Sequence, residues 1–188
     1  MSESDNFKSV IGKLKSTRQK LESIGIEPHN INQENIIKLP PEEFKSFVEY
    51  EIARSQRYKY PFSIILITID NLTLDSEFNT IKELNSRIIE LSKAIIRDID
   101  VLTIFNKSQI AICLPQTYGS RAKSVALRIS KLTKDKLKYP DNDSKPITLS
   151  IGVVAYPATS KDYNSLISKC MDHMLIAQKS GGDDIIYL

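Results

Sequence analysis

The feature that most constrains the fold is the apolar segment FSIILITI, Phe62–Ile69, which follows directly on Pro61. The segment has no charged side chain and is rich in β-branched residues. This pattern is typical of a strand that is buried inside a sheet, with apolar neighbours on both faces. The segment is also far too short to cross a membrane, so the sequence predicts a core strand rather than an anchor.

Apolar periodicity predicts alternating helices and strands around this segment. Four segments have the spacing of amphipathic helices: residues 44–52, 81–95, 122–132 and 166–177. Four short apolar segments are predicted strands: residues 101–105, 110–114, 147–155 and 185–188. A polar loop is predicted at residues 138–146. The predicted fold class is therefore α/β (α+β), a mixed central sheet flanked by helices.

Composition restricts the class of protein. The chain has 188 residues, of which 41% are hydrophobic, and a net charge of +3. This length fits one domain with a short extension. The net charge is too small to argue for nucleic-acid binding. Two cysteines, and a polar N-terminus without an apolar signal core, predict a cytoplasmic protein with no disulfide and no membrane partner.

The N-terminal segment is predicted to be a separate helix. Apolar residues recur at heptad-like spacing over residues 7–24, and Gly25 follows them. Such a helix can pair with a second copy to form a homodimer, or it can fold back on its own domain. The predicted organisation is an N-terminal helix and linker at residues 1–39 and a globular domain at residues 40–188.

Several motifs occur in an order that resembles one known family. The helix end RSQR at residues 54–57 precedes the apolar strand, the segment IAICLPQT occupies residues 110–117, and TLSIGV occupies residues 148–153. In this order the motifs resemble those of GGDEF domains, the bacterial diguanylate cyclases. The resemblance covers about residues 40–188 and implies a fold like the palm of nucleotidyl cyclases.

The resemblance also implies where the catalytic residues would stand. Active members join two GTP molecules with divalent metals, which are held by carboxylates of the first strand and of the signature turn. The first-strand aspartate aligns with Thr68, and we expect Asp70 to cap or hydrogen-bond the following turn instead. The signature turn falls on Asn106-Lys107-Ser108-Gln109-Ile110, so its two glycines and two acids are all replaced. We therefore expect a degenerate active site with no metal, no cofactor and no cyclase activity.

A second family motif is retained in the sequence. Arg97 and Asp100 have the spacing of the RxxD motif, which in the family binds the product cyclic di-GMP and inhibits the enzyme. Guanidinium groups bind guanine edges or phosphates, and a carboxylate accepts hydrogen bonds from guanine. Arg128 matches an arginine that completes this site in some relatives. Helix dipoles and chance also place such residues at helix ends, so the motif alone is weakly specific.

Two hypotheses for the function remain open. The chain is either a cyclic di-GMP receptor that contacts a signalling protein, or a scaffold or dimerisation domain that binds no nucleotide. A residual cyclase is a distant third.

The tail SGGDDIIYL resembles the catalytic signature in its letters, but it lies on a different element of the chain. Gly181 is expected to cap the last helix in a left-handed conformation, and the charges of Asp183 and Asp184 are expected to be solvated.

Overall fold

The computed structural model describes residues 37–72, 78–106, 108–139, 142–159 and 161–187. All of them belong to one compact unit, Ile36–Leu188. The predicted helix at residues 7–24, and the homodimer through it, lie outside the described residues. The boundary at residue 39 stays a prediction. Within the described ranges, no helix is both long enough and apolar enough to cross a bilayer.

Four helices and eight strands make up the described unit. The helices are α1 (Pro41–Tyr58), α2 (Phe78–Lys93), α3 (Gly119–Lys136) and α4 (Tyr163–Lys179). The strands are β1 (Ile37–Lys38), β2 (Phe62–Ile69), β3 (Val101–Asn106), β4 (Gln109–Leu114), β5 (Lys138–Tyr139), β6 (Asn142–Pro146), β7 (Leu149–Tyr156) and β8 (Ile185–Tyr187).

The main sheet is mixed, and β2 lies inside it. Its strand order is β1-β3-β4-β2-β7-β8. Strand β2 is antiparallel to both β4 and β7, whereas β1 pairs with β3 and β8 pairs with β7 in parallel. This arrangement confirms the predicted fold class.

The predicted polar loop at residues 138–146 contains a second, two-stranded sheet instead. Strands β5 and β6 pair in antiparallel fashion with an irregular register, from Lys138 opposite Pro146 to Tyr139 opposite Asn142. Tyr139 is buried, and its hydroxyl donates to the backbone carbonyl of Asp70 at 2.5 Å. A tertiary contact therefore orders a segment whose own sequence is polar.

The alternating side chains of β2 enter two different cores. Ile65, Ile67 and Ile69 belong to the apolar cluster that includes residues of α2 and α3. Phe62, Ile64 and Leu66 belong to the cluster that includes residues of α1 and α4. All eight residues of β2 are buried, as the unbroken apolar segment predicts.

Both cysteines lie in the cluster formed with α1 and α4. Cys113 of β4 and Cys170 of α4 are free and fully buried. Burial in apolar surroundings raises the pKa of both thiols, because the thiolate would lose its hydration. Neither thiol is therefore a reactive nucleophile in the folded domain.

Helix α4 packs directly on the backbone of β7 at Gly152. A Cβ atom at this position would lie 2.0 Å from the carbonyl oxygen of Cys170 and 2.7 Å from the backbone nitrogen of Met174. Both neighbours are backbone atoms of a helix and cannot rotate away. Only glycine allows this helix to sit so close to the sheet.

We expect Gly152→Ala to lower the free energy of unfolding by about 3 kcal/mol or more, because α4 must move away from β7. Gly119→Ala is the matched control. Its Cβ would meet Ala155 at 3.4 Å, an ordinary contact, so we expect a change within about 0.5 kcal/mol. Urea denaturation followed by circular dichroism measures both variants. Equal losses would show that the close approach of α4 is not what requires glycine.

Candidate functional site

The hairpin between β3 and β4 stands where the family signature turn would lie. The side-chain oxygen of Asn106 accepts a hydrogen bond from the backbone N–H of Ser108 at 3.0 Å. Its amide nitrogen donates to Oε1 of Gln109 at 2.5 Å. These bonds form an Asx-type turn, which asparagine stabilises without glycine. Lys107, the other predicted replacement, lies outside the described residues.

Thr68 lies beside this hairpin, near the end of β2. It pairs with Gln109 of β4 on one side and with Ser150 of β7 on the other. Its hydroxyl is mostly buried and points to the backbone carbonyl of Ser108 at 3.5 Å. The structure thus brings Thr68, Ser108 and Gln109 together. All three side chains are uncharged.

Asp70 is the one carboxylate that remains near this position, and it is engaged internally. It is 3% exposed. Oδ1 accepts a hydrogen bond from the hydroxyl of Ser150 at 2.6 Å, and Oδ2 accepts one from the backbone N–H of Asp183 at 2.8 Å. The sequence predicts that Asp70 caps or hydrogen-bonds the turn that follows it, and residues 73–77 of that segment lie outside the described residues. Among the described residues, its carboxylate contacts β7 and the C-terminal turn.

The C-terminal turn lies against this carboxylate. Gly181 and Gly182 have φ values of +115° and +78°, and Asp183 has a φ of 54°. A Cβ atom on Gly182 would lie 2.7 Å from Cγ of Asp70, so glycine is required there for space as well as for conformation. The side chain of Asp183 forms an ion pair with Lys134 of α3. The C-terminal turn therefore packs against the end of β2 and is held there by contacts with Asp70 and Lys134.

The residues at the former catalytic position do not fit magnesium. Mg²⁺ prefers charged oxygen ligands in octahedral geometry. Thr68, Ser108 and Gln109 offer only neutral groups, and the oxygens of Asp70 already accept two hydrogen bonds. Within the described ranges, no group of three or more His, Cys, Asp or Glu residues could hold a metal ion.

The RxxD pair forms a second polar site, at the corner that leads into β3. The backbone N–H of Arg97 donates to Oδ2 of Asp100 at 2.7 Å, and Nη2 of Arg97 donates to Oδ1 at 3.2 Å. The same Nη2 also lies 3.1 Å from the carbonyl oxygen of Pro115 and 2.7 Å from Oγ1 of Thr117. The structure thus joins Arg97 and Asp100 in an ion pair, and it adds two partners from the loop after β4.

The two members of the pair differ strongly in exposure. The side chain of Arg97 is 53% exposed, whereas that of Asp100 is 2% exposed. Burial raises the pKa of Asp100, and the hydrogen bonds and positive charge of Arg97 offset part of this rise. Asp100 therefore orients the guanidinium from its buried side, and the opposite side of the Arg97 guanidinium is exposed to solvent.

Arg128 stands apart from this pair. It is exposed on α3, and among the described residues it makes no hydrogen bond or ion pair with Arg97 or Asp100. Pro115 and Thr117 were not predicted from the sequence as partners of Arg97. Their segment LPQT was recognised only as part of a strand motif, and nothing in its spacing points to Arg97.

The sequence model of the family described as "Diguanylate cyclase, GGDEF domain" matches residues 42–184 of the chain. The chain belongs to this family. No curated protein matches this GGDEF domain.

Solved structures of similar fold include isolated GGDEF domains and complexes. The active GGEEF domain of a diguanylate cyclase from Vibrio cholerae is 18% identical, with a TM-score of 0.71 over 82% of this chain and 97% of that one. The coiled coil and GGDEF domain of DgcB from Caulobacter crescentus, in complex with c-di-GMP, is 13% identical, with a TM-score of 0.64 and full coverage of both chains.

Diguanylate cyclase SiaD from Pseudomonas aeruginosa, in complex with its activator SiaC, is 15% identical. Its TM-score is 0.63 over 98% of this chain and 71% of that one. At these identities the likeness shows the fold alone.

We expect Arg97→Ala to lower the free energy of unfolding at neutral pH by about 1–3 kcal/mol, because it leaves the buried Asp100 carboxylate without its cation. Without Arg97 the folded-state pKa of Asp100 rises further above its unfolded value. The stability lost by the variant must then grow as pH rises through that pKa, and shrink in acid, where Asp100 is protonated.

Urea denaturation between about pH 4 and pH 7 measures this dependence. The double variant Arg97→Ala/Asp100→Asn removes both charges of the RxxD pair and is the control. The pair would lack the inferred coupling if the single and double variants lost the same stability at every pH.

Proposed function

We propose that this GGDEF domain is a signalling module without cyclase activity. The observation that carries the proposal is the set of neutral side chains, Thr68, Ser108 and Gln109, at the position where the family places its metal-binding carboxylates. The remaining carboxylate, that of Asp70, supports the C-terminal turn. Phosphoryl transfer from GTP needs metal ions against the phosphates and an activated hydroxyl, and Thr68, Ser108 and Gln109 offer no charged ligand to hold the metal.

The proposal predicts no turnover. Incubation of the purified chain with GTP and Mg²⁺ or Mn²⁺ should yield no cyclic di-GMP by chromatography, because no carboxylates are available to hold the metals. An active GGDEF protein assayed in parallel is the control for the conditions. Product formation that scales with the concentration of the chain would contradict the proposal.

We further propose that the domain receives cyclic di-GMP at Arg97. The guanidinium is half exposed and held in place by Asp100, Pro115 and Thr117, so little side-chain entropy is lost when a ligand binds. Its outer edge can donate to the O6 and N7 atoms of guanine or to a phosphate. The relative DgcB was solved with c-di-GMP, which favours this ligand class over others. Arg128 is the candidate second arginine.

Isothermal titration with cyclic di-GMP tests the receptor. We expect saturable heat from the wild-type chain and at least a ~10-fold weaker affinity for Arg97→Ala, because charge-assisted hydrogen bonds to the ligand are lost. Arg97→Lys keeps the charge but not the fork and should be intermediate. Arg87→Ala, an exposed arginine of α2 that pairs with Glu83, is the control and should bind like the wild type.

Two outcomes of this titration count against the receptor. No heat from the wild-type chain at high micromolar ligand would remove the receptor role. Equal affinity of wild type and Arg97→Ala would place the ligand elsewhere.

A nucleotide-independent scaffold is the second candidate. The observation that favours it is the state of Asp100, whose two oxygens already accept hydrogen bonds from Arg97 and are shielded from solvent. A ligand that needs this carboxylate must first break the pair. If the domain is a scaffold, the contacts of Arg97 only hold the segment before β3 against the loop after β4. The domain then acts through contact with a partner protein.

A further inference from the structure

Helix α3 carries a concentration of positive charge that the other helices lack. It contains six basic residues and one acidic residue, Asp135. Helix α1 contains four acidic and three basic residues, and α2 contains two acidic and three basic residues. The excess on this one helix is larger than the net charge of the whole chain, +3.

The basic residues of α3 are also poorly compensated. Helices α1 and α2 each contain two internal ion pairs, such as Lys45–Glu49 and Arg87–Glu83. On α3, and counting only partners among the described residues, Lys134 alone has an ion pair, with Asp183 outside the helix. Asp135 follows Lys131 by one turn but does not pair with it in this part of the chain. Like charges three residues apart repel one another, so an anionic partner would reduce the electrostatic repulsion along α3.

Three of these lysines and one leucine form a stripe along the helix. Lys123, Leu127, Lys131 and Lys134 follow one another at spacings of four, four and three residues, which places them on one side. We call these four residues the α3 stripe. Leu127, in the middle, is 51% exposed, and Lys131 is exposed beside it.

The α3 stripe borders the edge of the main sheet. Nζ of Lys123 lies 4.4 Å from the ring centre of Tyr187, which is 39% exposed on β8. Lys134 contacts Asp183, just before the same strand. Strand β8 is the last strand of the sheet, with no neighbour on its outer side among the described strands. A partner lying along the stripe would therefore meet lysines, Leu127 and the ring of Tyr187 together.

The chemistry of this surface selects among anionic partners. A bilayer would require more than one or two exposed apolar side chains beside the lysines. A nucleic acid would place its phosphates against Leu127 without any gain from it, and the surface has no series of stacked aromatic side chains. An acidic protein segment can match both features, because carboxylates can flank an apolar residue at the same helical spacing.

We propose that the α3 stripe, together with Tyr187, is a docking surface for an acidic protein segment with an apolar residue between its carboxylates. The inference rests on the proposed signalling function, since it supplies the partner contact through which such a module acts. It involves neither the RxxD corner nor the former catalytic position.

A labelled helical peptide of alternating glutamate and leucine turns is the probe, and binding is measured by fluorescence anisotropy with the full chain. We expect saturable binding that weakens at least ~10-fold at high salt, because the contact is largely electrostatic. Lys123→Glu/Lys131→Glu should abolish it, and Leu127→Ser should weaken it several-fold. The control Lys82→Glu/Lys169→Glu makes the same change of charge on α2 and α4 and should retain binding.

Several results would overturn the proposal. These are no binding by the wild-type chain, equal loss in the stripe variant and the charge-matched control, and no effect of Leu127→Ser. Tighter binding to vesicles containing phosphatidylserine, or to duplex DNA, would assign the surface to a membrane or a nucleic acid instead. Cyclic di-GMP titration and GTP turnover do not depend on these residues, so failure here leaves those two tests unaffected.

Discussion

The burial of β2 is the constraint on which the rest of the domain depends. A strand with apolar side chains on both faces must have a layer of helices on each side, and its backbone must pair on both edges. Strands β4 and β7 satisfy the edges, and the two helix layers supply the two apolar clusters. The ends of β2 are therefore fixed in space, and polar residues placed there are held in defined positions.

The rigid end of β2 holds whichever side chains stand there in defined positions. With carboxylates at residues 68, 108 and 109, this end of β2 would bind divalent metal ions. With the residues present here, the hydroxyl of Thr68 donates to the backbone carbonyl of Ser108, and the side chain of Gln109 accepts a hydrogen bond from Asn106. The carboxylate of Asp70 accepts hydrogen bonds from Ser150 and from the C-terminal turn. The position is inherited from the fold, whereas the chemistry depends on the residues that occupy it.

Local patterns predicted the parts of this structure that depend on neighbours in sequence. The apolar run of β2 and the short strands at residues 101–105 and 110–114 were predicted because strand patterns are local signals. Pairing of β5 with β6 was not predicted, since it is supported by the hydroxyl of Tyr139 reaching Asp70.

The site was predicted less completely than the fold, for the same physical reason. The motif named Arg97 and Asp100 as candidate site residues, but nothing in the sequence pointed to Pro115 and Thr117 as further partners of Arg97. The hydrogen bond between Asp70 and Asp183 of the C-terminal turn joins residues 113 positions apart. No period or motif in the sequence encodes a contact of that range.

The two buried cysteines give this domain an internal reporter of its own opening. Cys113 and Cys170 lie on the same side of the sheet, one in a strand and one in the helix that covers it. A thiol reagent can reach them only when α4 or α1 separates from the sheet. The rate of labelling therefore reports the free energy of opening of that layer, without any substituted residue.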